Sequence, residues 1–265
     1  MKFDKEYTQY WASTINKSID GTIIAGNNEA KYFLDLMSIK DSASILDLGC
    51  SFGRMFEVLN NYSKNISGVD PDEYAVEEAK KKEYIEVLRG RAEETGFRNS
   101  LFDLIFCWAT FDVVHHSQGL KEFNRVLKNN GSLLVTGKNS NYYEDDILAF
   151  KAEKNAYLKD FPNRFTNLNV FLGNLEHFGF NLESLYLFPR RGDFGILNFE
   201  LTDDVLSNSY TGYEYLIICK KQSDVTGNIN QSGELDQAFS ETAYRIAKEK
   251  GFKDVKSMFK SIGLD

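Results

Sequence analysis

The sequence has no long apolar run: no window approaches the roughly 18 continuous apolar residues of a membrane span, and the N-terminal MKFDKEYTQYW lacks an apolar stretch behind its lysines. The protein is therefore expected in the cytoplasm, with no membrane partner. A basic excess is also missing. The net charge is −8, which argues against a phosphate backbone as partner, since nucleic-acid binding normally needs a positive face. Cysteine is scarce: Cys50, Cys107 and Cys219 stand far apart without C-x-x-C spacing, and two lie in apolar runs, so reduced structural thiols are expected rather than a disulfide frame. Histidine is equally scarce. His115 and His116 are adjacent and so point apart, and His177 lies far along the chain, so no metal site is expected.

What is present suits a folded soluble domain. Hydrophobic residues make up 42% of 265 residues, with 21 Phe and 14 Tyr, enough to fill one sizeable core. Short apolar runs at 44–48, 65–69, 84–88, 101–107 and 132–137 alternate with amphipathic stretches at 28–37, 54–60, 73–81 and 120–127. That rhythm predicts βα units feeding a parallel sheet. An Asn-Asn-Gly turn at 129–131 separates the last helix from the last of these strands. Residues 139–168 are polar, Tyr-rich and weakly periodic, and read as an insertion able to cap a substrate. A helix over 170–178 and two strands, 182–188 and 213–219, complete an α/β domain spanning 1–220. Residues 221–232 form a polar linker, and Leu235, Phe239, Ala243, Ile246 and Ala247 fall at helical spacing in a C-terminal tail with a second short helix at 255–259.

The chemistry concentrates at Ser44-Ile45-Leu46-Asp47-Leu48-Gly49-Cys50-Ser51-Phe52-Gly53-Arg54, an apolar strand entering a glycine turn and a helix. Gly49 permits a tight turn, and Gly53 permits close approach of a ligand. A second strand, Ile66-Ser67-Gly68-Val69, ends in Asp70, a carboxylate placed to accept both hydroxyls of a ribose. The dinucleotide and adenosyl readings both remain open on these features.

The stretch Asp47–Gly53 resembles the D/E-x-G-x-G-x-G motif of the class I S-adenosylmethionine-dependent methyltransferases, of the small-molecule, type 11-like kind. Gly68-Val69-Asp70 looks like their ribose-binding strand end, Phe102-Asp103-Leu104-Ile105-Phe106 like their fourth strand, and Glu122–Gly131 like their E-x-x-R-V-L-K-x-G-G stretch. The resemblance covers about 28–138. It implies a Rossmann-like, doubly wound sheet of seven strands, mostly parallel with an antiparallel last strand, to which the helical tail read from its apolar spacing is appended. It also implies S-adenosylmethionine as cofactor, S-adenosylhomocysteine as product, and Asp47, Gly49, Cys50, Ser51, Gly53, Asp70, Ala92, Glu93 and Trp108 around the cofactor. Two departures stand out: Ser51 replaces the middle glycine, and Arg91 precedes Ala92-Glu93 where the family often has an acidic residue. Arg91 cannot accept a hydrogen bond, which leaves the backbone near Ala92, Glu93 or stacking to read adenine.

A sulfonium is already an activated methyl donor, so the protein must position an acceptor and, for an oxygen or amine nucleophile, remove a proton. Thr110, Asp112, His115 and His116 follow the fourth strand, where the resembled fold opens over the methyl. Either histidine has the pKa range of a general base, against the alternative of packing or capping the next helix. Tyr7, Tyr10 and Trp11 form an aromatic cluster that either folds over the pocket as a lid or packs on the core. Arg190 and Arg191 offer a forked pair for a phosphate or carboxylate, or are simply exposed. The leading expectation is methyl transfer to a small-molecule acceptor, most simply at oxygen, as in tailoring of a secondary metabolite or saccharide. The asparagine-proline motif of many amino-methylating enzymes is absent after the fourth strand. The alternatives are a non-catalytic adenosyl-binding module and an NAD-dependent dehydrogenase, whose G-x-G-x-x-G spacing the G-C-S-F-G-R of 49–54 misses. Monomer and homodimer are both compatible with the sequence.

Overall fold

The computed structural model describes residues 23–202, 210–225 and 234–263. Tyr7, Tyr10 and Trp11, and with them the lid expectation, lie outside the described residues.

The strands β1 (Ser44–Leu48), β2 (Asn65–Asp70), β3 (Glu86–Arg89), β4 (Phe102–Cys107), β5 (Leu127–Lys138), β7 (Phe180–Phe188), β8 (Glu200–Thr202) and β9 (Glu214–Lys221) make one sheet in the order β3-β2-β1-β4-β5-β9-β7-β8. Strands β1 to β5 pair in parallel, and β9 runs antiparallel between β5 and β7. The expected seven strands are eight. The additional β8 pairs antiparallel with β7, but its three residues are exposed or half-exposed, so no alternation marks it in the sequence.

The central strands are buried on both faces, as parallel strands must be. Along β4, Leu104 and Phe106 face one apolar layer while Ile105 and Cys107 face the other, the two-residue period of a strand. One layer packs helix α1 (Ile23–Asp35), through Phe33 and Leu34, and helix α2 (Phe56–Leu59). The other packs helix α4 (His116–Val126), through Leu120 and Phe123, and helix α6 (Leu168–Asn174), through Phe171. Helix α3 (Glu73–Ala79) begins on Asp72, whose side chain accepts from the Ala75 N–H, an ordinary N-cap. Helix α4 passes directly into β5. The expected turn at 129–131 is instead a kink inside that strand, with Asn130 left-handed at φ 62° and the β4–β5 register shifting between Phe102 and Leu104.

The insertion and the tail meet. Helix α5 (Ile147–Leu158) and the short β6 (Phe165–Thr166) come from the insertion; β10 (Asp236–Gln237), α7 (Glu241–Glu249) and α8 (Val255–Ile262) come from the tail. β6 and β10 form a two-stranded antiparallel ribbon. Phe239, Ala243, Ile246, Met258 and Phe259 pack with Phe150 and Tyr157 of α5. Beneath them the buried Glu153 carboxylate accepts the Tyr142 hydroxyl at 2.7 Å, the Ser240 N–H at 2.8 Å and the Ser240 hydroxyl at 2.7 Å. A buried carboxylate must be paired in this way, so this network ties α5 to the start of α7. The two segments, far apart in sequence, form one body.

Candidate active site at the carboxyl edge of the sheet

At the tip of β1 the chain turns with Gly49, Ser51 and Gly53 all left-handed, at φ 77°, 49° and 73°. Ser51 thus takes the conformation that a middle glycine would take freely, at some strain. A Cβ at Gly49 would lie 2.2 Å from the Thr110 hydroxyl oxygen, so only glycine lets the loop pass beneath the end of β4. The Gly49 and Cys50 N–H groups donate to the Val69 carbonyl at 2.9 and 3.1 Å. Asp70 then hooks the loop: its Oδ2 accepts the Ser51 N–H at 3.0 Å and its Oδ1 the Asp72 N–H at 2.9 Å. A carboxylate has about four lone-pair positions, so two remain for a diol. Burial pushes the Asp70 carboxyl up to about 6, against the pull of those two N–H groups. Asp47, only 2% exposed, accepts the Tyr84 hydroxyl at 2.6 Å; burial raises it to about 6 despite that bond and the nearby Arg54. Cys50 is buried, with its thiol pushed well up by burial. A loop held this close to an aspartate at the neighbouring strand tip fits an adenosyl ligand with its ribose on Asp70.

Beyond β3, Arg91 to Glu94 form a tight turn. The Glu93 carboxylate accepts the His115 N–H at 2.8 Å and pairs with the Arg91 Nε at 3.3 Å, so it caps α4 from a distance. Trp108 stands differently from its expectation beside the cofactor. Its ring is 5% exposed, stacked on Phe106 at 5.4 Å and edge-on to Phe194 at 5.2 Å, in the apolar layer with α1. Strand alternation turns the side chain into the core, and its carbonyl accepts the Thr110 hydroxyl at 3.2 Å. The next residue, Ala109, is left-handed at φ 52° and donates its N–H to the Thr136 hydroxyl at 2.7 Å.

The two histidines separate. His116 is fully buried, its ring 3.9 Å from that of Phe111. Its Nδ1 lies 2.9 Å from the Val114 carbonyl and its Nε2 2.7 Å from the Thr166 hydroxyl. Burial pushes it down to about 4. With both nitrogens engaged inside the protein, His116 anchors β6 to α4 and cannot reach an acceptor, which corrects its expected role as base. His115 is half-buried, and its Nε2 is 2.9 Å from the Arg164 Nη2. Because arginine only donates, that nitrogen is the acceptor and Nδ1 carries the proton. Arg164 also pairs with Asp236 of β10, and its N–H donates to the Asp112 carbonyl at 2.7 Å. The insertion therefore lies directly over the segment after β4.

Beside this lies a charge cluster that the sequence reading did not assemble. Lys138 at the end of β5 pairs with Asp112 at 2.5 Å and donates to the Asn163 side chain at 3.0 Å. Glu214, at the start of β9, sits opposite Lys138 in register. Among the described residues its side chain has no hydrogen bond, and burial raises its carboxyl against the pull of Lys138 and Arg191. Tyr213, 1% exposed, is raised to about 12 by burial. The one available signal was positional: Lys138 and Glu214 are the charged residues bordering the apolar runs 132–137 and 215–219. The two arginines have separate partners. Arg190 is bonded to Asp145 at 2.5 and 3.1 Å and lies over the Tyr143 ring at 4.4 Å. The Arg191 guanidinium lies 5.9 Å from the Tyr213 ring centre, toward the cluster. Among the described residues no three His, Cys, Asp or Glu side chains converge as metal ligands, and no helix is long and apolar enough to cross a membrane.

Residues 46–135 match a family described as methyltransferase domain. Two uncharacterized proteins of Methanocaldococcus jannaschii are 34% identical over 104 residues and 28% identical over 136 residues, covering 38% and 50% of this chain. The chain spans only 39% and 59% of the lengths of these two relatives. A SAM-dependent methyltransferase of Thermotoga maritima superposes with a TM-score of 0.59 at 20% identity, over 82% of this chain and 98% of its own. Another from Archaeoglobus fulgidus gives 0.51 at 15% identity, over 73% and 92%. These structural likenesses are likenesses of fold. Over residues 46–135 this chain therefore matches a methyltransferase domain, and its ordered motifs and strand order agree with the class I S-adenosylmethionine-dependent fold.

Proposed function

We propose that this chain moves the methyl group of S-adenosylmethionine to an oxygen of a small polar acceptor held between the carboxyl edge of the sheet and the body formed by insertion and tail. The observation that carries this reading is the loop with three left-handed residues in five, hooked to Asp70. The sulfonium, when bound, supplies an activated methyl and a neutral leaving group. The chain's own residues then have three tasks. Backbone groups of 49–53 and the Asp70 carboxylate hold the adenosyl ligand, and the turn at Ala92 borders the adenine. Thr110 and Arg191 face the acceptor. Glu214 receives its proton: a carboxylate raised by burial and without a hydrogen bond of its own is closer to the ideal base near neutral pH than an ordinary one, whereas His115 would first have to release Arg164. Arg190, neutralised by Asp145, holds the loop before β8 to the insertion.

Calorimetry of the purified chain with S-adenosylmethionine and S-adenosylhomocysteine, with NAD as control, tests the reading. Micromolar binding of the adenosyl ligands, lost in Asp70→Ala and absent for NAD, is expected. Binding of NAD alone would sink it, and adenosyl binding without turnover of any acceptor would leave a non-catalytic module.

A further inference from the structure

Strand order sets Lys138, Glu214 and Arg191 along the carboxyl edge. Glu214, the first residue of β9, has Lys138 of β5 as register partner on one side and Phe188, the last residue of β7, on the other. Neighbouring strands lie about 4.8 Å apart, and Arg191 follows Phe188 by three residues in the loop that leaves β7. The backbone of Arg191 is pinned, because its N–H donates to the Asp146 carboxylate at 2.8 Å. The residue is nonetheless exposed, and its guanidinium lies 5.9 Å from the ring centre of Tyr213, the neighbour of Glu214 in the chain. Among the described residues that guanidinium has no carboxylate partner and no hydrogen bond. The other cations of this edge are committed: Lys138 to Asp112, Arg164 to Asp236 and Arg190 to Asp145. Glu214, without a hydrogen bond, is half-exposed, so solvent reaches it as well. One uncommitted fork and one uncommitted carboxylate therefore sit on neighbouring strand ends.

The two ask for different groups. An ionised carboxylate only accepts, so Glu214 takes a hydroxyl hydrogen. A guanidinium only donates, in a planar fork that matches a carboxylate with two parallel hydrogen bonds. A doubly charged phosphate would call for a second uncommitted cation, and the neighbouring ones already have their carboxylates. We propose that the acceptor is a small hydroxycarboxylic acid, bound with its carboxylate on the Arg191 guanidinium and its hydroxyl toward Glu214. Its two groups are a few bonds apart, since about one strand spacing separates their partners. That the bound acid is the methyl acceptor rests on the methyl-transfer reading above; the preference of Arg191 for a carboxylate does not.

The test uses the full chain, with and without S-adenosylhomocysteine, and three probes of one size: 4-hydroxybutanoate, its neutral amide, and butanoate, which lacks the hydroxyl. Amide shifts in NMR titrations locate each probe and give its affinity. 4-Hydroxybutanoate is expected to move the amides of 190–192 and 213–215 and to bind at least about tenfold more tightly than its amide, as a charge-assisted pair allows. Arg191→Gln, with S-adenosylhomocysteine affinity retained as proof of fold, should erase that preference. Arg190→Gln removes the same charge from a residue already matched by Asp145 and should keep it. Glu214→Ala should erase the preference over butanoate alone. No binding of the hydroxy acid, equal binding of its amide or of butanoate, equal loss in both arginine variants, or shifts elsewhere would overturn the proposal. Failure of S-adenosylmethionine to bind would overturn methyl transfer alone, leaving the carboxylate preference measured.

Discussion

Two buried titratable side chains oppose each other in pH. The Asp47 carboxyl, ordinarily near 4, is pushed up to about 6. The folded chain therefore holds its proton more tightly than the unfolded chain, and the stability this contributes is complete below about pH 4 and lost as pH rises through about 6. His116, ordinarily near 6.5, is pushed down to about 4; its contribution is complete above about pH 6.5 and lost as pH falls through about 4. Each shift is worth up to about 3 kcal/mol, so the two nearly cancel. Asp47→Asn should be least stable relative to the parent at pH 4 and recover by up to that amount near pH 7, and His116→Gln should do the reverse. Urea midpoints between pH 4 and 7 report both, and parallel curves would refute the assignment. At the reacting end, Glu214→Gln is expected to lower methyl transfer roughly 10² to 10⁴-fold with S-adenosylhomocysteine affinity unchanged. An unaltered rate would remove Glu214 from that role. Asp70 and the glycines announce themselves in sequence because a turn needs them at fixed spacing. Glu214 does not, because its meaning comes from lying opposite Lys138 on a neighbouring strand.

Among the elements, the insertion and tail behave as one unit because neither buries its apolar face alone. Phe259 is fully buried against Phe150, Tyr157 and Phe239, and truncating such a ring costs about 3–5 kcal/mol. Phe259→Ala should raise hydrogen exchange in α5, α7 and α8 together while β1 and β4 stay protected. Exchange raised in the tail alone would show two independent pieces. The helices of the tail were legible from their apolar spacing, and the insertion from its loss of βα rhythm. Their union was not, because the ribbon that joins them has two residues on each side, about 70 positions apart.

For the whole molecule, a ligand that binds only the folded chain stabilises it by RT ln(1 + [L]/Kd), about 2.7 kcal/mol at a hundredfold excess over Kd. For a chain of this size that is a rise in Tm of roughly 5–10 °C. S-adenosylhomocysteine should produce it in the parent and not in Asp70→Ala, and an equal rise in both would detach the ligand from the β1–β2 edge.

The sequence by itself determined the βα rhythm, the glycine loop and the ribose-type aspartate, because strand periodicity and tight turns are local and leave a mark within a few residues. It also carried the motifs of the family in order. Tertiary structure alone decided which histidine is interior, that Trp108 is core, that Arg190 and Arg191 have separate partners, and that Lys138, Glu214 and Asp112 share one edge beneath a joined insertion and tail. Each of those depends on burial and on contacts between residues distant in the chain, which no local pattern encodes.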